Sequence, residues 1–378
     1  MRDIAIVSQL QRMADVEVDW LAPSPAGGFL TDKGYHVLEC SNQLAGSGKV
    51  YDQVFKDCTY EFNLINYIRM DTKLHLHDFR ISTQAWKSKK YDVIVGDEAF
   101  WLLSGFCLHL SPKPAPFVFL TDFIGVKAMR YRVGDILTAW LNNLMYTRSY
   151  IGPDEYVYIG DVREIPDERF GLLLPSRQRW AQRHCRFVKP IVNFNPDTSA
   201  DRKIIRNQLG LPEDKLIFLA VIGPEGDYTH RMSQIEKTFE LLKQDFSDAH
   251  FIMVGPEMGI KRWVQYHRYL EKLHEYFAAS DLVLIQSGYG KVVELSALGI
   301  PFIAIPLDYH FEQEYVMAHR MNHYGTGKLM TLRHNTPDEI AAEAEGSLKS
   351  EIRRISVDIG TEVGNIILAT TKSNAVYF

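Results

Sequence analysis

Residues 279–327, ASDLVLIQSGYGKVVELSALGIPFIAIPLDYHFEQEYVMAHRMNHYGTG, read as a strand, a glycine turn, a helix, a second strand and a polar loop into another helix. Residues 281–285 (DLVLI) form a short apolar run of the kind buried in a parallel sheet. Ser287, Gly288, Tyr289 and Gly290 follow as a turn that opens a helix. Glycines there allow a tight bend and a close approach of backbone to a ligand, and the N–H groups at a helix start suit an anion. The helix over residues 292–298 carries Glu294 in its first turns and is expected to stop at Gly299, with Pro301 barring continuation. Residues 302–305 (FIAI) are the next buried strand, which runs into Pro306 and the polar segment 308–313, DYHFEQ.

That order sets three polar clusters at the carboxyl ends of adjacent parallel strands, where open α/β sheets bind ligands. A glycine turn at a helix N-terminus suits a diphosphate, a carboxylate one turn further suits a ribose diol, and a Glu-Gln pair suits sugar hydroxyls. An ordinary βαβ unit without a ligand has the same order of elements. Three polar clusters in sequence separate the two readings better than a lone glycine turn does.

The segment resembles the donor-binding region of GT-B glycosyltransferases, especially the family 28 (lipid II N-acetylglucosaminyltransferase-like) type and the related UDP-glycosyltransferases. The residues that carry the resemblance are Ala279, Asp281, Ser287-Gly288, Glu294, Gly299-Ile300-Pro301, Pro306, and His310 with Gln313. The match is specific over this stretch and looser over most of the rest. It implies an α/β chain of GT-B fold, with two Rossmann-like domains facing a central cleft. It also implies that Ser287, Gly288, Tyr289 and Gly290 hold a diphosphate, that Glu294 holds the ribose, that Glu312 and Gln313 meet the donor sugar, and that His310 belongs to the same donor site.

The chain has 378 residues, enough for two domains of ordinary size. Hydrophobic residues make up 46% and charged residues 24%, a normal globular composition. A formal net charge of −5 argues against general nucleic-acid binding, which needs a basic face. Cys40, Cys58, Cys107 and Cys185 lie far apart with no C-x-x-C pair, as buried free thiols in a reducing compartment would. No run approaches the roughly 18 apolar residues of a membrane span and no signal-peptide pattern is present, so a cytoplasmic location is the expectation.

From the N-terminus, residues 1–13 have helical spacing, residues 16–21 alternate as a strand, and residues 35–38 read as a further short strand. A doubly wound domain normally begins with a strand and a glycine-rich loop before its first helix. In the family such a loop precedes a helix resembling residues 2–6. The N-terminal domain is therefore expected to lack its first strand and glycine loop, as in a truncated chain or one with a start codon called too late. In-frame coding sequence upstream supports this, and a stop codon immediately upstream sinks it. Residues 52–86 are mostly helical in pattern. His75 and His77, at i and i+2, do not share a helix face, and no metal site is expected.

Residues 91–95 and 117–120 read as buried strands, followed by Asp97-Glu98 and by Asp122. Acidic residues at such strand ends serve either to orient or deprotonate an acceptor hydroxyl or to cap the following helices. Residues 125–150 mix Lys127, Arg130 and Arg132 with apolar and aromatic residues. A helix there either rests on a membrane surface carrying a lipid acceptor or faces the core, the commoner outcome. Residues 156–159 and 185–188 read as strands, and the proline- and serine-bearing segment 190–201 as a linker.

The domain boundaries drawn are thus residues 1–190, a linker at 191–201, a donor domain at 202–350 and a tail at 351–378 expected to cross back to the first domain, as the C-terminal helix does in GT-B folds. The second domain opens with a strand at residues 215–222 and a turn, Gly223-Pro-Glu-Gly226. This is the second turn that could meet donor phosphates. Pro224 and Glu225 depart from the small residues of the family, so only Gly223 and Gly226 are carried over. Tyr266 is a candidate to stack on the base, with packing inside the domain as the alternative. Residues 336–339 (TPDE) are a helix start, Thr as N-cap and Pro at the first position.

The activity expected is metal-independent, inverting transfer of a sugar from a nucleotide-diphospho-sugar, UDP-linked by resemblance, to an acceptor hydroxyl. The nucleotide sugar is a co-substrate, and no cofactor is expected. The acceptor is lipid-linked or a small molecule, with peripheral membrane contact in the lipid case. Two alternatives stay open: a non-catalytic nucleotide-sugar-binding or scaffold protein of GT-B fold, and a GT-B sugar-nucleotide epimerase using His310 and Glu312.

Overall fold

The computed structural model describes residues 1–45, 63–196, 201–223, 228–255, 261–350 and 352–373. These fall into two compact units. The first holds the described residues of Met1–Val54, Asn63–Asn193 and Asp358–Phe378, and the second those of Phe194–Val357.

The first unit opens on helix α1 (Arg2–Met13), whose Ala5, Ile6, Val7 and Leu10 are buried. Short α2 (Ala26–Asp32) and long α3 (Leu64–Ser88) precede the sheet. The sheet is parallel, with β1 (Ile94–Asp97), β2 (Phe117–Thr121), β3 (Glu155–Ile159) and β4 (Arg186–Val188) side by side in chain order. Helices α4 (Phe100–Cys107), α5 (Val133–Tyr146) and α6 (Arg177–His184) occupy the connections. Phe117, Phe119, Tyr156 and Tyr158 line one face of the sheet and pack with Phe79 of α3, Leu102, Leu103 and Phe106 of α4, and Trp180 of α6.

Several expectations shift here. The alternation at residues 16–21 yields only one isolated parallel bridge, Trp20 to Val37, because the extended piece at residues 35–38 meets it over a single residue. The run at residues 91–95 is not a fully buried strand. β1 starts at Ile94, lies at the sheet edge, and leaves Val95 39% exposed. Cys40, Cys107 and Cys185 are half-buried thiols rather than buried ones, and Cys58 lies outside the described residues.

The second unit runs α7 (Arg202–Gln208), β5 (Ile217–Val221), α8 (Tyr228–Asp245), β6 (His250–Val254), β7 (Val264–His267), α9 (Leu273–Ala279), β8 (Leu282–Gln286), α10 (Tyr289–Leu298), β9 (Phe302–Ile305), α11 (Met317–Tyr324), β10 (Lys328–Leu329) and α12 (Pro337–Ser347). Its six-stranded parallel sheet has the order β10-β9-β8-β5-β6-β7. The strand order therefore reverses between β5 and β8, and the carboxyl ends of those two strands flank the switch point where doubly wound sheets take ligands. Every residue of β5, β8 and β9 is buried, as their unbroken apolar runs require. Thr336 caps α12 in a reciprocal capping box with Glu339, and Pro337 sits in its first turn.

The last described element is α13 (Thr361–Ser373), part of the first unit, where a Cβ on Gly360 would stand 2.7 Å from the Ile6 backbone and Gly364 faces the Met13 side chain. A Cβ at Gly360 would collide with that backbone, and its φ of +97° is itself a glycine conformation.

Candidate donor site

The site is built at the carboxyl ends of β5, β8 and β9. Ser287 directly follows β8 and is buried, at 1% exposure. Its N–H donates to Ile305 O at 3.0 Å, and its Oγ donates to Gln313 O at 2.7 Å. The hydroxyl thus ties the glycine turn to the loop after β9. Gly288 is the N-cap of α10 in an extended conformation, and no side chain caps the helix. Among the described residues, nothing beyond the chain neighbours and the helix's own backbone lies within 4 Å of where a Cβ would stand on Gly288 or Gly290, so these glycines face open space. A helix of three turns with no side-chain cap keeps the partial positive charge of its N-terminus.

Tyr289, the first residue of α10, is buried and lies under the guanidinium of Arg320, 4.5 Å from the ring centre. Glu294 is half-buried one turn further along α10. Burial pushes its carboxyl up to about 7, with Lys291 pulling the other way. A carboxyl placed so pays for desolvation until a hydrogen-bond donor arrives.

The loop after β9 is held by its own side chains. His310 is buried, and burial drives its imidazole down to about 3, so it is neutral at any physiological pH. Its Nδ1 accepts the Gln313 N–H at 3.3 Å and thereby caps a turn of π-helix, Phe311–Val316, that runs into α11. Gln313 Oε1 accepts the Leu307 N–H at 3.0 Å. Tyr309 has a φ of +62°, and its N–H donates to Glu314 at 2.9 Å. Arg333 closes the loop. Its Nη1 donates to Glu314 Oε2 at 2.9 Å and to Asp308 at 3.4 Å, and the guanidinium covers the Tyr309 ring at 4.4 Å. Glu312 is half-buried in the π-turn.

At the end of β5, Gly223 is engaged by side chains. Its N–H donates to Gln286 Oε1 at 3.0 Å and its carbonyl accepts Arg231 Nη2 at 3.3 Å. Gly226 lies outside the described residues. Tyr266 stands apart from the cluster, on edge strand β7 with its hydroxyl donating to Glu236 at 3.0 Å and its ring against the core of the unit. Trp263 packs edge-on to Phe251.

The acidic candidates of the first unit converge, but on an arginine. Arg2, in the first turn of α1, donates from Nε to Asp97 Oδ2 at 2.6 Å and from Nη2 to Asp97 Oδ1 at 2.5 Å. It also pairs with Asp122 and stands 3.3 Å from Glu98 Oε1. Burial works against the Asp97 charge, yet Arg2 prevails and holds that carboxyl below its usual range. Burial, and then the Asp97 carboxylate, push neighbouring Asp3 up to about 8. None of the three caps α4, which begins at Ala99 with no side-chain cap. Glu98 sits at φ +51° and keeps the most side-chain exposure, 31% against 15% for Asp97 and 3% for Asp122.

α5 leaves one apolar stripe exposed. Val133 is 82% exposed, Leu137 54% and Met145 57%, while Asp135 and Asn143 are buried. Asn143 goes inward because it satisfies three backbone groups: Val126 N at 2.8 Å, Val126 O at 2.8 Å and Phe170 O at 2.7 Å. α5 does both: Trp140, Leu144 and Tyr146 pack against the core, while Val133, Leu137, Leu141 and Met145 stay exposed. Leu172 and Leu173 are exposed as well, and Leu172 O accepts the Trp140 indole of α5 at 2.9 Å.

Sequence reasoning missed Arg231, Gln286, Arg320 and Arg333. A signal for two of them exists: Arg231 falls on the stripe of Ile235, Thr238 and Leu242, and Arg320 beside Met317 and Met321, so both arginines sit on buried helix faces.

Residues 217–351 match the family described as the glycosyltransferase family 28 C-terminal domain. An uncharacterized glycosyltransferase of Methanopyrus kandleri is 26% identical over 170 residues, 45% of this chain and 48% of that protein. A UDP-N-acetylglucosamine–N-acetylmuramyl-(pentapeptide) pyrophosphoryl-undecaprenol N-acetylglucosamine transferase of Caldicellulosiruptor saccharolyticus is 30% identical over 133 residues, 31% of this chain and 35% of that protein. In these matches the chain spans less than half the length of either relative. Among solved structures, the glycosyltransferase VinC in complex with dTDP superposes with a TM-score of 0.59 at 12% identity, covering 98% of this chain and 96% of that one. Residues 217–351 thus match the glycosyltransferase family 28 C-terminal domain, and the chain has the GT-B fold.

Proposed function

We propose that the chain is a glycosyltransferase that moves a sugar from a nucleoside-diphospho-sugar, UDP-linked, to an acceptor hydroxyl. The observation that carries this reading is the start of α10. It is a helix N-terminus without a side-chain cap, at the switch point of the sheet, with two glycines facing open space and a half-buried carboxylate one turn on. In this reading the turn at residues 287–290 takes the diphosphate, and ionised Glu294 takes the ribose diol. Gln313, Glu312 and the rigid loop around His310 meet the sugar. Departure of the diphosphate is eased by the α10 dipole and backbone N–H groups, and the transfer is metal-independent and inverting.

Of the three acidic candidates, Glu98 is the base, since it is the most exposed and the least engaged with Arg2. Asp97 and Asp122 hold Arg2 and position it. A second reading, donor binding without turnover, is favoured by the same ion cluster if Arg2 keeps Glu98 occupied. The exposed apolar stripe of α5, preceded by exposed Arg132, fits an acceptor presented at a lipid surface. Among the described residues no helix is long and apolar enough to cross a membrane.

Calorimetric titration with UDP, and with dTDP, GDP and ADP for comparison, tests the donor site. The expected result is selective uridine or thymidine diphosphate binding that is lost in Glu294→Ala. Absence of binding to every nucleotide removes the reading. UDP release from UDP-N-acetylglucosamine that depends on an added acceptor separates transfer from mere binding, and a changed sugar without acceptor marks epimerisation.

A further inference from the structure

Arg231 lies in the first turns of α8, 5% exposed. Burying a guanidinium is expensive unless its fork is used, and retaining one points to what it holds. Here Nη1 donates to Gln286 Oε1 at 2.7 Å and Nη2 to Gly223 O at 3.3 Å, while Gln286 Oε1 also accepts the Gly223 N–H at 3.0 Å. Three residues thus close a ring of hydrogen bonds. The β5–β8 ladder ends at the pair Val221 and Ile285. Gln286 is the last residue of β8, and Gly223 stands just past β5. The ring therefore continues the pairing of the two strands beyond their last rung, at the switch point itself. Ser287 and the α10 turn begin one residue after Gln286.

We infer that Arg231 is a positioning residue for the diphosphate of the donor: it locks Gly223 and Gln286 at the two strand ends and sets a permanent cation at the end of β8, from which the α10 turn starts. The inference rests on the donor-site reading above. A fixed positive charge in a partly desolvated setting strengthens an anion far more than a solvated one does. The guanidinium is buried and engaged with Gln286 and Gly223, so it serves charge and geometry rather than touching the reacting atoms. Glu294 works at the ribose, so Arg231 divides the nucleotide into a part it affects and a part it does not.

The test compares UDP with uridine by calorimetry on the full chain. In Arg231→Met, UDP affinity is expected to fall about tenfold or more, as loss of a charge-assisted contact implies, while uridine affinity changes by less than about twofold. Arg231→Lys keeps the charge without the fork and should recover only part of the loss. Equal loss for UDP and uridine makes Arg231 a purely structural residue and overturns the inference, as does no loss for either. If wild type binds UDP no better than uridine, the donor-site reading fails first and takes the inference with it. Should Arg231→Met not fold, Gln286→Glu decides. It keeps the shape of the ring and neutralises the cation, so UDP affinity should drop with uridine binding intact. Unchanged UDP affinity in that variant overturns the inference.

Discussion

The two units end their parallel sheets in opposite ways. At the carboxyl ends of β1 and β2, Asp97, Glu98 and Asp122 crowd around Arg2, and charge is answered by charge at hydrogen-bond distance. At the carboxyl ends of β5, β8 and β9, Arg333 pairs with Glu314 and Asp308 within the loop after β9, but the turn after β8 presents backbone and glycine beside a carboxyl lifted to about 7. The same sheet edge can thus be closed by ion pairs that hold the fold, or left with unmet electrostatic demand that a ligand answers. Removing a partner from the first edge should cost stability. Changing the second should cost binding.

The largest effect expected from this contrast is at Arg2. In Arg2→Met, Asp97 and Asp122 lose the cation that compensates them while staying largely buried. Stability should fall by about 3–5 kcal/mol, the usual result of breaking a buried pair from one side. Urea unfolding at neutral pH measures it. A loss below about 1 kcal/mol would show that water already answers those carboxylates, and the contrast between the two edges would collapse.

Glu294 should behave in the opposite sense. Its folded-state value near 7 stands above an ordinary value of 4.5. A carboxyl raised in this way contributes its stability in full below about pH 4.5, and loses it as pH rises through 7. The difference is at most on the order of 3 kcal/mol. Glu294→Gln, which cannot ionise, should therefore be more stable than wild type at pH 8 and indistinguishable near pH 4.5. Equal unfolding curves at both pH values would show that the carboxyl is not desolvated in the free protein.

Binding reads the same residue from the other side. If the ionised carboxylate accepts the ribose hydroxyls, UDP affinity in wild type rises with pH up to about 7 relative to Glu294→Gln. At pH 8, Glu294→Ala loses about 1.5–3 kcal/mol, the range for a hydrogen bond to a charged group. Using the glutamine variant as baseline removes the titration of the nucleotide itself. A pH profile parallel to that baseline would place Glu294 outside the ribose pocket.

How legible these edges were in the sequence differs between them. The second unit announced itself locally: β5, β8 and β9 are unbroken apolar runs, Gly299 ends α10 at φ +70°, and Thr336 with Glu339 forms the capping box. All of these are decided within a few residues. The Arg2 cluster joins residues 95 and 120 positions apart, and Arg231 reaches Gln286 over 55 positions. Nothing in a local window encodes such partners, and an arginine in a helix reads as solvent-facing unless its stripe is counted. α5 shows another limit. Periodicity told that Val133, Leu137, Leu141 and Met145 share territory, but not that they stay exposed while Asp135 and Asn143 go inward beside Ala139, Trp140 and Leu144. Which face goes inward was set by three hydrogen bonds from Asn143 to backbone far along the chain.

The smallest expected effect falls on Gln313, and it sharpens the boundary of the second edge. Its Oε1 already accepts the Leu307 N–H, and its carbonyl already accepts the Ser287 hydroxyl. The side chain therefore shapes the loop first and can offer a sugar only its amide donor. Gln313→Ala removes one neutral hydrogen bond, about 1 kcal/mol in stability. It leaves the Ser287 contact to the main chain in place, so the diphosphate turn keeps its anchor. UDP affinity should change by less than about twofold, while turnover of the sugar nucleotide falls severalfold. Equal loss in both would mean that the β9 loop and the α10 turn move as one body through Leu307, and that Gln313 acts on the nucleotide rather than on the sugar.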